Sequence, residues 1–166
     1  MTPAGLWSFV VLSVPLLLAA PRSQPAAGPT SATIDATVWA PASTAVAKDD
    51  ITGLGRIYHP AAVLVSTSGT KPIAQAIAGW GKDMVTAKQA GTKATVAFRF
   101  TKRQDDAESA FESGIFKYTT TTRAGVASPS YRKFEALLVK LGGKWLVTME
   151  RQLDGASESE WNALPH

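Results

Sequence analysis

The chain contains no cysteine. That removes disulfides, thiolate nucleophiles, cysteine-ligated zinc and lipid-modified cysteine at once. A domain built from it must be held by its apolar core. Histidine is nearly absent as well. His59 precedes a proline and His166 is terminal, and neither has His, Asp or Glu at ligand spacing, so no metal site is expected. No Gly-rich phosphate loop follows a strand-like run, no Ser or Thr stands in a nucleophile motif, and no cofactor is expected. Basic residues do not cluster among aromatics: 17 Lys and Arg are scattered among 13 Asp and Glu, and the net charge of +4 argues for solubility and against nucleic acid as a partner.

What is present is ordinary for one compact domain: 166 residues, 45% hydrophobic and 18% charged. Leu6 to Ala20 is an apolar run of signal-peptide length, short for a membrane span, followed by a Pro/Ala/Ser/Gly-rich tract to Ala32. The expected organisation is a signal peptide over 1–20, a disordered tether over 21–32, a domain over 33–154 and a tail over 155–166. Such a protein is exported, secreted or periplasmic, and free of the membrane after cleavage. No Lys or Arg precedes the run, which leaves an uncleaved, membrane-tethering anchor as the alternative.

Within the domain, Ile34 to Ala47 is Ala/Thr-rich and interrupted by Pro41, which predicts one or two short helical pieces. Asp49 or Asp50 caps a segment in which Ile51, Leu54, Ile57 and Tyr58 recur at helical spacing. Ala62 to Ser66 reads as a short strand closed by Ser68-Gly69. Pro72 opens the clearest helix, with Ile73, Ile77, Trp80, Met84 and Val85 near one face and Gly91 at its end. From Thr92 the period changes to two. Thr92 to Lys102 and Glu108 to Thr122 form a pair turning at Gln104 to Ala107, Arg123 to Pro129 is a loop, and Trp161 is the one large residue of the tail.

Tyr131 to Leu153 is the most informative stretch: two β-rich runs joined by Leu141-Gly142-Gly143-Lys144. A two-residue Gly-Gly turn puts Leu141 opposite Lys144, and strict alternation then sets Glu135 against Glu150. Two opposed carboxylates, if shielded, cannot both ionise easily, which suits one of them to general acid chemistry; if open to water, with Lys133 nearby, they are only surface charge. The same counting sets Arg99 against Glu112 and Arg103 against Glu108, which are ion pairs of either a site or a surface. Tyr58, Trp80 and Tyr118 are either pocket lining or plain core.

Several of these segments together resemble the SnoaL-like branch of the nuclear transport factor 2-like superfamily. They are Asp50-Ile51-Thr52-Gly53-Leu54 with Tyr58-His59-Pro60-Ala61-Ala62-Val63-Leu64, the Ile73 to Ile77 helix start, Phe111-Glu112-Ser113-Gly114-Ile115-Phe116, and Gly142-Gly143-Lys144-Trp145-Leu146-Val147. The resemblance spans about Asp49 to Leu153. It implies an α+β fold, a cone-shaped barrel of a curved, mainly antiparallel sheet wrapped around N-terminal helices, and a homodimer through the outer sheet face. Pro41 departs from the family's long first helix. Glu150 stands where non-catalytic relatives commonly carry Asp, and Arg99 with Glu112 is similar in kind to the Asp-Arg-Asp sites of epoxide-opening relatives.

Three functions are compatible with this reading. The first is an exported domain that binds a small apolar molecule in its cone, with Tyr58, Trp80, Arg99, Glu112 and Tyr118 as contacts. The second is an isomerase- or hydrolase-type enzyme that uses Glu150 with Glu135. The third is a protein-interaction module acting through the outer sheet face.

Overall fold

The structure is a computed structural model and describes residues 28–165. The expected signal peptide and most of the expected tether lie outside the described residues, as does His166. The tether's last residues do not: α1 (Pro29–Ile34) starts inside it, and Ser31 is buried and donates to Asp105 at 2.7 Å. The last residues of the expected tether are therefore packed against the sheet.

From α1 the chain continues without a break through a π-helical turn (Asp35–Trp39) into α2 (Ala40–Ala47). This corrects the expectation that Pro41 divides the segment. Proline lacks an N–H and its ring crowds the carbonyl four residues back. The wider turn just before it, closed by Ala40 N–H to Asp35 O, carries the chain past that obstacle. Helix α2 ends with Asp49 at φ +55 while Asp50 N–H bonds Ala45 O at 2.8 Å, an αL cap in which Asp stands where Gly is usual. Asp50 then caps α3 (Ile51–Gly55) by accepting from Gly53 N–H at 2.8 Å.

Strand β1 (Tyr58–Ser66) starts earlier than the spacing predicts, absorbing Tyr58 and His59, and β2 (Gly69–Pro72) returns beside it. Helix α4 (Ile73–Gln89) follows, buries Ile73 and Ala76, and leaves Val85 exposed. Four long strands complete the sheet: β3 (Lys93–Asp105), β4 (Ser109–Thr121), β5 (Ala127–Leu141) and β6 (Lys144–Gly155). Strand β5 begins inside the stretch expected to be a loop. The sheet order is β2-β1-β6-β5-β4-β3, with β1 and β6 parallel and the other neighbours antiparallel. The sheet curves around the helices without closing, so β2 and β3 are its edges.

Inside the curve Trp39 meets Phe98 at 4.7 Å, Phe134 at 5.5 Å and Phe100 at 5.8 Å between ring centroids. Each such pair adds about 0.5–1.5 kcal/mol beyond the area it buries. This cluster fastens the helical run to the sheet. On the outside, the expected tail folds back as α5 (Glu158–Asn162), started by a reciprocal Ser157/Glu160 capping box, and buries Trp161.

One-residue irregularities in β3 and β6 set which side chains face inward. The Gly142-Gly143 turn, at φ +55 and +80, holds Leu141 opposite Lys144 and Val139 opposite Leu146, as counted. At Thr148 a bulge lets Leu137 pair with Met149, and the following residues of β6 change face until a further one-residue shift between Gln152 and Gly155. A second bulge, at Thr101, shifts β3 against β4 in the same way.

Candidate functional site

The Thr148 bulge overturns the expected dyad. Glu150 lies opposite Ala136, on the same inner face as Trp145 and Val147, whereas Glu135 lies opposite Arg151 on the outer face and pairs with it at 3.1 Å. The two glutamates occupy opposite sides of the sheet, so Glu135 cannot share a proton with Glu150.

Glu150 is 8% exposed and instead meets neutral donors. Tyr58, at the start of β1, donates its hydroxyl to Oε2 at 2.5 Å, and Gln152 donates Nε2 to Oε1 at 2.8 Å. Trp80 of α4 flanks the tyrosine, ring centroids 6.4 Å apart. Among the described residues no Lys or Arg pairs with Glu150. Burial raises its carboxyl above the usual carboxylate range, and the Tyr58 and Gln152 hydrogen bonds offset only part of that. Burial also lifts the Tyr58 phenol well above 10, aided by the neighbouring Glu150 charge and their hydrogen bond.

Glu112 is buried more completely, at 0% exposure, but in a different environment. The β3–β4 turn sets Asp105 against Ala110, not Gln104 against Ala107, and that register puts Arg103, not Arg99, opposite Glu112, while the Thr101 bulge gives Arg103 the same face as Phe100. Arg103 contacts Glu112 Oε1 at 2.6 Å and also clasps both oxygens of Asp35 at 2.7 and 2.9 Å, while Trp39 Nε1 donates to Glu112 Oε2 at 2.6 Å. Burial raises the Glu112 carboxyl, with Arg103 the main opposing influence. The π-helical turn supplies both Asp35 and Trp39 to this network, so it ties the first helix to β3 and β4.

Arg99 faces outward, opposite Ile115, and lies 4.5 Å over the Trp161 ring while donating to Trp161 O at 2.9 Å. The expected Arg99/Glu112 pair therefore does not form. Tyr118 is on the inner face beside Val96; burial raises its phenol, and the charges of Asp83 and Asp49 add to the effect. Tyr58, Trp80 and Glu150 are brought together, Tyr118 stands nearer the rim, and Glu135 and Arg99 are excluded.

The residues missed from the sequence are Gln152, Arg103, Asp35 and Trp39. Alternation across β6 and β3 assigns Gln152 and Arg103 to the wrong face, and only the bulges reverse them. Among the described residues, no group of three or more His, Cys, Asp or Glu is placed to hold a metal ion, and no helix is long and apolar enough to cross a membrane.

No family model matches the chain, and no curated protein does. Solved structures do. A nuclear transport factor 2-like superfamily protein from Salmonella enterica aligns with a TM-score of 0.60 at 13% identity, over 80% of this chain and 96% of its own. An NTF-2-like protein of unknown function from Shewanella oneidensis aligns at 0.56 and 16% identity, over 70% and 93%. A ketosteroid isomerase-like protein from Erwinia carotovora aligns at 0.55 and 21% identity, over 76% and 95%. At these identities the likeness establishes the fold.

Proposed function

With the nuclear transport factor 2-like fold as the premise, we propose that this domain binds a small, mostly apolar molecule on the inner side of its cone, beside Glu150 and Tyr58. The carrying observation is the contrast between its two buried acids. Glu112 is neutralised by Arg103, whereas Glu150 has only Tyr58 and Gln152. A buried carboxyl without a counter-ion costs stability, and such a cost is characteristic of functional positions. Aromatic walls with a few polar groups are how small-molecule sites are built, and Trp80 and Tyr118 stand with Tyr58 among residues packed around the core. Native mass spectrometry of protein purified from its own host tests the reading. A retained small molecule, lost in Glu150→Ala, supports it; ligand-free protein that also fails to bind apolar compounds overturns it.

The raised Glu150 carboxyl favours a second reading, an isomerase- or hydrolase-type enzyme in which Glu150 moves a proton with Tyr58 as its hydrogen-bond partner. The Glu135 partnership is discarded. An NMR titration placing Glu150 at or below its ordinary value of 4.5 removes this reading.

Export remains a proposal resting on the apolar run Leu6 to Ala20. N-terminal sequencing of the mature protein distinguishes cleavage from a retained anchor. Assembly as a homodimer is supported by Leu137 and Leu141, 41% and 49% exposed on the outer face near the Gly142-Gly143 turn.

A further inference from the structure

We propose that the outer face of the sheet carries a second ligand site, between β3–β5 and the C-terminal segment, for a neutral, predominantly apolar small molecule. A cavity of about 370 Å³ lies there, on the opposite side of the sheet from Glu150. That volume is within the roughly 300–1,000 Å³ typical of small-molecule pockets.

The cavity follows from two features of the chain. At the Thr101 bulge β3 comes so close to β4 that only glycine fits at position 114, where a Cβ would overlap Arg99 O and lie 2.9 Å from Phe100 Cα. This kinks the sheet under Thr101 and Ser113. Opposite the kink the C-terminal segment is held at a fixed height. Trp161 is clamped between Arg99, 4.5 Å away, and Tyr131, 6.0 Å away, and Glu160 bonds Lys133 at 2.7 Å. The space between kinked sheet and clamped segment is not filled by side chains.

The lining defines the ligand class. Ile115, Leu153, Ala163 and Leu164 supply apolar surface. The charged lining residues are already matched, Lys133 by Glu160 and Glu135 by Arg151 at 3.1 Å. A charged ligand would be desolvated without gaining an uncommitted counter-charge. The Thr101 and Ser113 hydroxyls, 2.9 Å apart, are the polar group against which a ligand hydroxyl or carbonyl would lie.

The test uses the purified full-length chain and N-phenyl-1-naphthylamine, which is neutral at pH 7, with its anionic sulfonated relative 8-anilinonaphthalene-1-sulfonate as comparison. In the wild-type chain the neutral probe is expected to shift the methyl resonances of Ile115, Leu153 and Leu164 saturably, with the sulfonate at least about tenfold weaker at those same methyls. Ser113→Phe and Ala163→Phe, which fill the space from its two sides, should each abolish those shifts while circular dichroism stays native. Absence of saturable shifts in the wild type overturns the site. So does their persistence in both folded variants, and equal affinity for the sulfonate overturns the ligand class. Leu138 and Val147 methyls report the inner face independently, so binding within the cone neither supports nor sinks this proposal.

Discussion

Glu112 and Glu150 lie on the same inner face but differ in what surrounds the charge. Removing Arg103 leaves Glu112 buried with Trp39 as its remaining donor, so Arg103→Ala is expected to cost about 3–5 kcal/mol in urea denaturation. Glu150 makes the opposite prediction. Its folded-state pKa is raised above 4.5, so the fold prefers the protonated acid. Stability is then lost as pH rises from about 4.5 through the folded-state value. Glu150→Gln should flatten the fall in Tm across that window while leaving the part due to Glu112, which is shifted in the same direction. A Tm profile identical to wild type from about pH 4 to 8 would show that Glu150 is not desolvated as described.

Among elements, β6 and the C-terminal segment can each be tested at a single feature. Deleting Thr148 removes the extra residue and keeps Met149 opposite Leu137 and Glu150 opposite Ala136, so Glu150 stays on the inner face. Cooperative thermal unfolding is expected to be retained, with only the Thr148 hydroxyl bond to Leu137 O lost, and a loss of cooperativity would show that the bulge itself is needed. The C-terminal segment should respond to acid. Glu160 is held down to about 2, first by Lys133 and then by the Ser157 cap. Its contribution is present above about 4.5 and is lost as pH falls towards 2. Trp161 fluorescence, read as the difference between wild type and Trp161→Phe, should report undocking in that range. Lys133→Ala should move the transition to higher pH.

For the whole molecule, the outer sheet face is divided. The C-terminal segment covers the part around Arg99, Ile115 and Tyr131, and Leu137 and Leu141 remain exposed beyond it. If association uses that uncovered part, Leu137→Glu with Leu141→Glu should convert a dimer to a monomer by light scattering, with the inner face unchanged. Much of this architecture was legible in the residues themselves. Period-two alternation marked β3 to β6, Ile73 to Met84 marked α4, and the Gly142-Gly143 turn set the first pairs of the last hairpin, because local sterics and one buried face are enough to specify each. The chemistry was not legible, because a one-residue bulge at Thr148 or Thr101 carries no distinctive residue of its own yet exchanges the two faces of the residues that follow it, Glu150, Gln152 and Arg103 among them. Sequence alone determined that Glu150 stands in the last strand of a curved sheet. Only tertiary packing, which favours Trp145, Val147 and Glu150 on one buried side against Tyr58, decided that this acid is internal and that Glu135 is not its partner.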